Sequence, residues 1–168
     1  MNYQTAQGWL RTEEREFLFA MAKKATTILN IGVEYGASIV CLAEENPDAQ
    51  ILAVDIDLSK NLTAYSNVIY VEHDSSSMDY TNYAYDLIFV DGDHSYLGVS
   101  KDIEAVLPSL VVGGMILFHD CGDFADPSIL EHRLCPGVNQ AVSDLLGENP
   151  SYIELPRVGT MRIFIRQE

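Results

Sequence analysis

Residues 85–94 read YDLIFVDGDH and residues 115–120 read MILFHD, and these two segments decide the fold. Each is an apolar run of strand length that ends in acidic and imidazole side chains, and a segment of helix length separates them. In an open parallel sheet, ligands bind outside the carboxyl ends of the strands. The pattern therefore predicts one crevice lined by Asp91, His94, His119 and Asp120.

Apolar runs of strand length alternate with helix-period segments from Thr27 onward, which is typical of a doubly wound α/β sheet. Thr12, ahead of Glu13 and Glu14, is predicted to cap the first helix. The predicted strands are 28–31, 51–54, 68–71, 87–90 and 115–118, and the predicted helices are 12–24, 37–45, 98–107 and 136–147. Residues 152–155 and 161–165 predict a closing hairpin.

With 168 residues, 48% of them apolar, the chain is long enough for one sizeable core and short for two ordinary domains. We expect a single domain over residues 1–168, with an N-terminal helical segment over residues 1–25 and a lid loop over residues 121–135. The sequence has neither the roughly 18-residue apolar run of a membrane span nor the features of a secretory signal. We therefore expect a cytoplasmic protein with no membrane partner.

The formal net charge is -15, and the ten Lys and Arg residues are scattered rather than gathered in a stripe. Such a surface repels phosphate backbones, so nucleic acid is not an expected partner. The three cysteines, Cys41, Cys121 and Cys135, include no CxxC pair. Their spacing argues against a disulfide framework and against a zinc site built from thiolates.

Residues 30–38 read NIGVEYGAS, a strand end, a glycine turn and a helix start. The spacing of Gly32 and Gly36 is GxxxG, whereas a dinucleotide pyrophosphate calls for GxGxxG, and Glu34 would place a carboxylate near any phosphate. The loop therefore suits a nucleoside ligand without phosphates. A plain βα turn with two glycines is the alternative interpretation.

Two acids after the next strands extend this interpretation. Asp55, about twenty residues after the turn, lies where a carboxylate can accept the hydroxyls of a ribose. Asp74 lies where it can reach an adenine edge. Each is also explained as an ordinary acid, at a strand end for Asp55 and capping a turn for Asp74.

The chain resembles class I S-adenosylmethionine-dependent methyltransferases, specifically the small-molecule enzymes near the catechol O-methyltransferase-like group. The segments that carry the resemblance are Gly8 to Glu14, the Gly32/Gly36 loop, Asp55, Asp91 to Tyr96, Gly113-Gly114, Phe118 to Asp120 and Pro136 to Val138. The resemblance implies a Rossmann-like fold of three layers. Its sheet would have seven strands in the order 3-2-1-4-5-7-6, with the last strand antiparallel.

The resemblance also implies how S-adenosylmethionine is held. Gly32 and Gly36 would let the backbone approach its methionine part, Asp55 would bind the ribose, Asp74 would lie near adenine and Asp91 would border the reacting methyl group. The full set of expected cofactor-binding residues is Asn30, Gly32, Glu34, Gly36, Ser38, Asp55, Asp74 and Asp91. Similar enzymes usually carry Glu or Asp in place of Asn30, and commonly Asn in place of Cys121.

Methyl transfer from a sulfonium is an in-line displacement, so positioning and an electron-rich nucleophile supply the rate. The expected catalytic residues are His119, His94 and Asp91, with either histidine as the general base. Asp91 and Asp120 are the expected ligands of Mg²⁺ or another divalent cation. Metal-free catalysis by either histidine is one alternative, and a structural role for each histidine is another.

We therefore expect an S-adenosylmethionine-dependent methyltransferase that acts on a hydroxyl of a small-molecule acceptor, with a homodimer as the candidate assembly. One alternative is a fold relative that binds the cofactor without transferring methyl groups. The other is a nicotinamide-dependent oxidoreductase, against which the absent GxGxxG motif and Glu34 both count.

Overall fold

A computed structural model of the chain describes residues 3–44, 46–60, 62–122 and 135–168. The described residues form one seven-stranded sheet in the order β3-β2-β1-β4-β5-β7-β6. The strands are β1 (Thr27–Ile31), β2 (Gln50–Asp55), β3 (Val68–Glu72), β4 (Tyr85–Val90), β5 (Leu110–Phe118), β6 (Tyr152–Val158) and β7 (Met161–Arg166). The first five run parallel, and β7 is antiparallel to β5 and β6. The predicted fold and strand order are confirmed.

Helices cover both faces of the sheet, which gives the expected three layers. They are α1 (Thr12–Ala22), α2 (Ala37–Ala43), α3 (Tyr96–Val106) and α4 (Pro136–Val142), and a π-helical turn, Ser143–Gly147, continues α4. Residues of α1 and α2 share one apolar core with one face of the sheet. Residues of α3 and α4 share a second core with the other face.

The strand interiors show why both cores form. In β1, Ile28 belongs to the core under α1 and α2, and its neighbour Leu29 belongs to the core under α3 and α4. Successive side chains of a strand point to opposite faces, so a strand covered on both sides reads as a continuous apolar run. Ile28 and Leu29 are both fully buried.

Several predicted boundaries were wrong in detail. Helix α1 is capped by Arg11 rather than Thr12, because the Glu14 side chain accepts the Arg11 backbone N–H at 2.7 Å. Strand β5 begins at Leu110 rather than at residue 115, since Gly113 and Gly114 lie inside the strand, which has a register shift opposite β4. Helices α1 and α2 each end two residues earlier than predicted.

Residues 123–134 of the expected lid loop lie outside the described residues. Between β2 and β3, the described residues contain no helix. Among the helices that the structure describes, none has the length and apolar composition to span a bilayer.

Candidate active site

A cleft of about 790 Å³ opens at the carboxyl ends of the parallel strands. Its lining includes His94, His119 and Asp120 together with most of the expected cofactor-binding residues, namely Gly32, Glu34, Ser38, Asp55, Asp74 and Asp91. The structure therefore brings the glycine loop and both polar strand ends to one cavity. Asn30 and Gly36 are not part of its lining.

The glycine loop passes directly beside the end of β4. Gly32 has a φ of 81°, and a Cβ at this position would collide with the backbone carbonyl of Asp91. Asp55 organises the same loop, because its Oδ2 accepts the backbone N–H groups of Val33 at 2.6 Å and Glu34 at 3.0 Å. Asp55 thus supports the loop as well as facing the cleft, a second role that its sequence position did not indicate.

Asn30 lies beneath this loop and is fully buried. Its Nδ2 donates to the Gly32 carbonyl at 2.8 Å, whereas its Oδ1 finds no donor among the described residues. An ionised Glu or Asp has no N–H with which to make this bond. The departure from the family pattern at this position therefore comes with a bond that only the amide can form.

At the Asp74 end of the cleft, the structure favours the turn interpretation of that residue. Asp74 Oδ1 accepts from the Ser76 N–H at 3.0 Å and from its hydroxyl at 2.8 Å. These bonds lower the pKa of Asp74. Ile56 and Leu97, both exposed apolar side chains, also line the cleft and provide surfaces against which a planar base can pack.

At the ends of β4 and β5, carboxylates surround the His119 ring. Its Nδ1 lies 3.2 Å from Asp91 Oδ1 and 3.3 Å from Asp120 Oδ1, and its Nε2 lies 3.1 Å from Glu14 Oε2. Burial by itself would lower the pKa of His119, but the charge of Asp91 and the bonds to Asp91 and Glu14 outweigh it, so the pKa is raised well above 6.5. His119 is therefore a buried imidazolium that donates from both nitrogens.

Glu14 is the residue of this cluster that the sequence did not single out. It is fully buried, and its Oε1 accepts from the Thr160 N–H at 2.7 Å and from the Thr160 hydroxyl at 2.8 Å. Burial would raise the pKa of Glu14, but the bond to His119 and the backbone donors of Arg11 and Thr160 lower it. One carboxylate thus joins α1, the end of β5 and the β6–β7 turn.

His94 is the accessible histidine of the pair, with 42% of its side chain exposed. Its Nε2 lies 3.3 Å from Asp91 Oδ1 and 3.4 Å from Asp120 Oδ2. The hydrogen bond to Asp91 raises the pKa of His94 against the opposing effect of burial. An Nε2–H that donates to the carboxylates leaves Nδ1 as the nitrogen with a free lone pair.

The pKa values of Asp91 and Asp120 are shifted in opposite directions. Burial would raise the pKa of Asp91, but His119 and His94 bring it down to about 2. The pKa of Asp120 is raised, chiefly by burial and also by the nearby charge of Asp91. Asp120 has a φ of 57°, in the left-handed region that Asn and Asp tolerate better than most residues. Backbone strain of this kind is concentrated at functional sites.

Cys121, which follows Asp120, is not part of the cleft lining. Its Sγ is fully buried and lies 3.7 Å from the His119 carbonyl.

Trp9 is 64% exposed and lines the cleft, where its indole N–H donates to Glu34 at 3.4 Å. Trp9 therefore forms part of the cleft wall and not of the apolar core.

The cleft lining includes a buried acid, Asp102, whose pKa predicts how stability depends on pH. Asp102 is 2% exposed, and its Oδ1 accepts from the Ser75 hydroxyl at 2.6 Å. Burial raises the pKa of Asp102 from 3.8 to about 6, and the charges of Asp74 and Asp93 add to this effect. Between pH 3.8 and about 6, Asp102 is therefore protonated in the folded state and ionised in the unfolded state. Stability falls as the pH rises through this range, and the loss is complete above it.

We expect Asp102→Asn to raise the melting temperature at pH 8, with a gain that shrinks to nothing as the pH falls to 4. Asparagine keeps the acceptor for Ser75 and removes the buried charge. Thermal unfolding followed by circular dichroism across this pH range measures the effect, and Glu104→Gln on the exposed side of α3 is the control. A destabilised Asn variant at pH 8 would contradict the assignment.

Comparisons with known proteins agree with this geometry. A family profile described as "Methyltransferase domain" matches residues 29–121. A structure from Staphylococcus aureus, provisionally assigned as a caffeoyl-CoA O-methyltransferase, is 19% identical with a TM-score of 0.75, and the match covers 95% of this chain and 85% of that one. A comparison with curated protein sequences found no match.

Two further structures share the fold. An S-adenosylhomocysteine (SAH)-bound methyltransferase from Podospora anserina, PaMTH1, is 17% identical with a TM-score of 0.67, covering 95% of this chain and 80% of that one. MycE, a methyltransferase of mycinamycin biosynthesis solved with Mg, SAH and mycinamycin VI, is 18% identical with a TM-score of 0.71. That match covers 99% of this chain but 52% of MycE.

The matched residues run from β1 through the end of β5 and so include the glycine loop, Asp55, Asp91, His94 and Asp120. They select the methyltransferase interpretation over the oxidoreductase alternative. Because the profile covers more than half of the chain, the protein belongs to the methyltransferase domain family and is an S-adenosylmethionine-dependent enzyme.

Proposed function

We propose that this methyltransferase transfers the methyl group of S-adenosylmethionine to a hydroxyl of a small-molecule acceptor bound in the cleft. The observation that carries the proposal is the convergence of Asp91, His94, His119 and Asp120 beside the glycine loop. A hydroxyl needs a base and a charged environment for its developing oxyanion, and this cluster offers both.

The described residues fit the cofactor. The cradle at Gly32 has no room for a side chain, and beneath it the buried Oδ1 of Asn30 has no donor in the part of the chain that the structure describes. Glu34, Asp55 and Asp91 give the cleft the negative charge that suits a sulfonium and an ammonium group. When bound, S-adenosylmethionine supplies a methyl group on positively charged sulfur. Asp55 would accept its ribose hydroxyls, and the loop from Gly32 would hold its methionine part.

His94 is the better general base of the two histidines. Both nitrogens of His119 face carboxylates, and the ring is buried, so it holds its proton and has no lone pair to offer. His94 is exposed to the cleft, and its Nε2 faces Asp91 and Asp120. Its Nδ1 would take the acceptor's proton while the two carboxylates stabilise the resulting imidazolium.

Asp91 and Asp120 would hold a divalent cation if the reaction uses one. A carboxylate oxygen of one aspartate lies within 4.8 Å of a carboxylate oxygen of the other. Mg²⁺ binds through one or two carboxylates and keeps several waters, so two aspartates with open positions fit it. A cation held there would stabilise negative charge on the acceptor oxygen.

The proposal is tested by calorimetric titration with SAH, using NAD as the comparator, in the presence and absence of Mg²⁺. The proposal is supported if the protein binds SAH but not NAD and methylates at least one member of a panel of hydroxylated small molecules. SAH binding without turnover on any acceptor would instead identify a cofactor-binding relative that no longer transfers methyl groups. Failure to bind SAH under both conditions would overturn the assigned cofactor site.

Asp55→Ala should weaken SAH binding by roughly 10- to 100-fold, because it removes a charged acceptor worth about 1.5–3 kcal/mol. It also frees the Val33 and Glu34 amides that Asp55 holds. Calorimetry on the folded variant measures the loss. Asp57→Ala is the matched control, since the Asp57 carboxylate accepts the Ser59 N–H outside the cleft lining. Equal weakening in both variants would contradict the role of Asp55.

A further inference from the structure

Three ligand atoms of different kinds meet on one side of Asp120. Its Oδ2 lies 3.4 Å from Nε2 of His94 and 3.9 Å from Sγ of Cys135. The ligand atoms of the three residues all lie within 4.8 Å of one another. We propose that His94, Asp120 and Cys135 form a site for a thiophilic divalent cation of the Zn²⁺ class, and that occupation of this site inhibits the enzyme.

The two distances from Asp120 are close to those of tetrahedral zinc. Zn–N and Zn–O bonds of about 2.0–2.2 Å and a Zn–S bond of about 2.3 Å place nitrogen and oxygen roughly 3.4 Å apart, and oxygen and sulfur roughly 3.6 Å apart. The separations of 3.4 Å and 3.9 Å from Asp120 are within a few tenths of an ångström of these values, and the His94 and Cys135 ligand atoms lie within 4.8 Å of each other. Three protein ligands with one open position is the arrangement of zinc sites that accept water or substrate.

The site differs in chemistry from the pair Asp91 and Asp120. Asp120 divides its oxygens, since Oδ1 faces His119 and Oδ2 faces His94 and Cys135. A set of two carboxylates selects hard cations such as Mg²⁺, whereas imidazole and thiolate select Zn²⁺ or Co²⁺. The spacing of the cysteines argued against a zinc site built from several thiolates. It could not address a site in which the fold brings one cysteine to a histidine and an aspartate.

Tight backbone packing holds the cluster together. Cys135 directly precedes α4, and His94 lies on the turn that leads into α3. At Gly137, a Cβ would meet the Tyr96 backbone nitrogen at 2.6 Å and the His94 carbonyl at 3.0 Å, so the two segments touch without an intervening side chain. This contact fixes the position of Cys135 relative to His94.

Cys135 is the thiol suited to this role. Cys41 and Cys121 are buried, and burial raises the pKa of each thiol to about 12. Cys135 is only partly buried and lies beside a carboxylate and an imidazole. A cation binds the thiolate, so its binding releases the Cys135 proton to solvent.

Inhibition follows from the ring nitrogen that the cation takes. A cation on Nε2 of His94 displaces the proton there, and the neutral ring then carries its proton on Nδ1. That nitrogen no longer has a lone pair for the acceptor's proton. This step rests on the proposed function, in which Nδ1 of His94 is the base, whereas cation binding itself does not.

The binding test uses reduced, chelator-treated protein titrated with Co²⁺, a spectroscopic probe for zinc sites. We expect one equivalent to give a thiolate-to-cobalt charge-transfer band that Zn²⁺ abolishes. Cys135→Ser should lose the band, Cys41→Ala should keep it, and Asp120→Asn should weaken Co²⁺ binding by about 10-fold or more. Absence of the band in the wild type, or its survival in Cys135→Ser, would overturn the site.

A second measurement tests inhibition separately. Zn²⁺ should lower methyl transfer in a way that a chelator reverses, and Cys135→Ser should need about 10-fold more Zn²⁺ for the same effect. SAH binding checks that the Ser variant is folded. Equal sensitivity of both proteins would overturn the inhibition. If the enzyme shows no turnover at all, the proposed function fails while the cobalt spectrum still decides the site.

Discussion

Replacing Glu14 with alanine should lower the free energy of unfolding by about 3–5 kcal/mol, the usual result of breaking one partner of a buried ion pair. The buried His119 imidazolium would lose the carboxylate at Nε2, and the donors of Thr160 would lose their acceptor. Urea unfolding at pH 7.5 measures the loss. Because the pKa of Glu14 is lowered on folding, its contribution is present above pH 4.5 and disappears as the pH falls below that value.

Glu14→Gln separates charge from hydrogen bonding. The amide oxygen can still accept from Thr160, but the amide nitrogen would face Nε2 of His119, so the variant favours a neutral ring. We expect the pKa of His119, followed by NMR, to fall in this variant. Glu13→Gln is the matched control because its side chain is 53% exposed and its Oε1 lies 3.9 Å from Nη1 of Arg11. Equal destabilisation by Glu13→Gln and Glu14→Gln would contradict the buried ion pair.

His94→Ala should lower kcat by about 100- to 10,000-fold, the range by which a general base accelerates proton transfer. SAH affinity should change by less than about twofold, since the expected cofactor contacts do not include His94. Steady-state kinetics combined with calorimetry separates the two effects. Tyr96→Phe is the control, because its hydroxyl contacts Asp144 outside the cleft lining and its loss should leave kcat unchanged.

The same pair of measurements on His119→Ala distinguishes the two histidines. Loss of this ring removes the cation that Asp91, Asp120 and Glu14 share, so the three carboxylates would repel one another. We expect a lower melting temperature in addition to a lower kcat. If His94→Ala keeps its turnover, another group must act as the base, and this result would contradict the mechanism.

Residues whose position follows from topology could be predicted from the sequence. Asp55, Asp91 and His119 come directly after parallel strands, and the carboxyl ends of such strands share one edge of the sheet. The cleft holds all three for that reason. The antiparallel end of the sheet followed from the resemblance and from the turn at residues 156–159.

Residues whose role depends on distant partners could not be predicted. Glu14 meets His119 across 105 residues and Thr160 across 146, and its hydrogen bond to the Arg11 amide has no Ser or Thr cap to signal it. Asp120 has a left-handed backbone conformation, and its two carboxylate oxygens face different partners. Cys135 lies near it where the start of α4 packs against the backbone of His94 and Tyr96. None of these features has a local pattern in the sequence.

Because Glu14 and Thr160 are far apart in the sequence, they leave the ribosome at different times during synthesis. A chain that has left the ribosome through β5 already contains Glu14, Asp91, His94, His119 and Asp120, but the β6–β7 turn with Thr160 emerges later. Until then the Glu14 carboxylate lacks the Thr160 amide and hydroxyl, which are two of its hydrogen-bond donors in the folded protein. A nascent chain that stops before this turn should therefore remain without a working catalytic centre, and activity should appear only when the final hairpin docks.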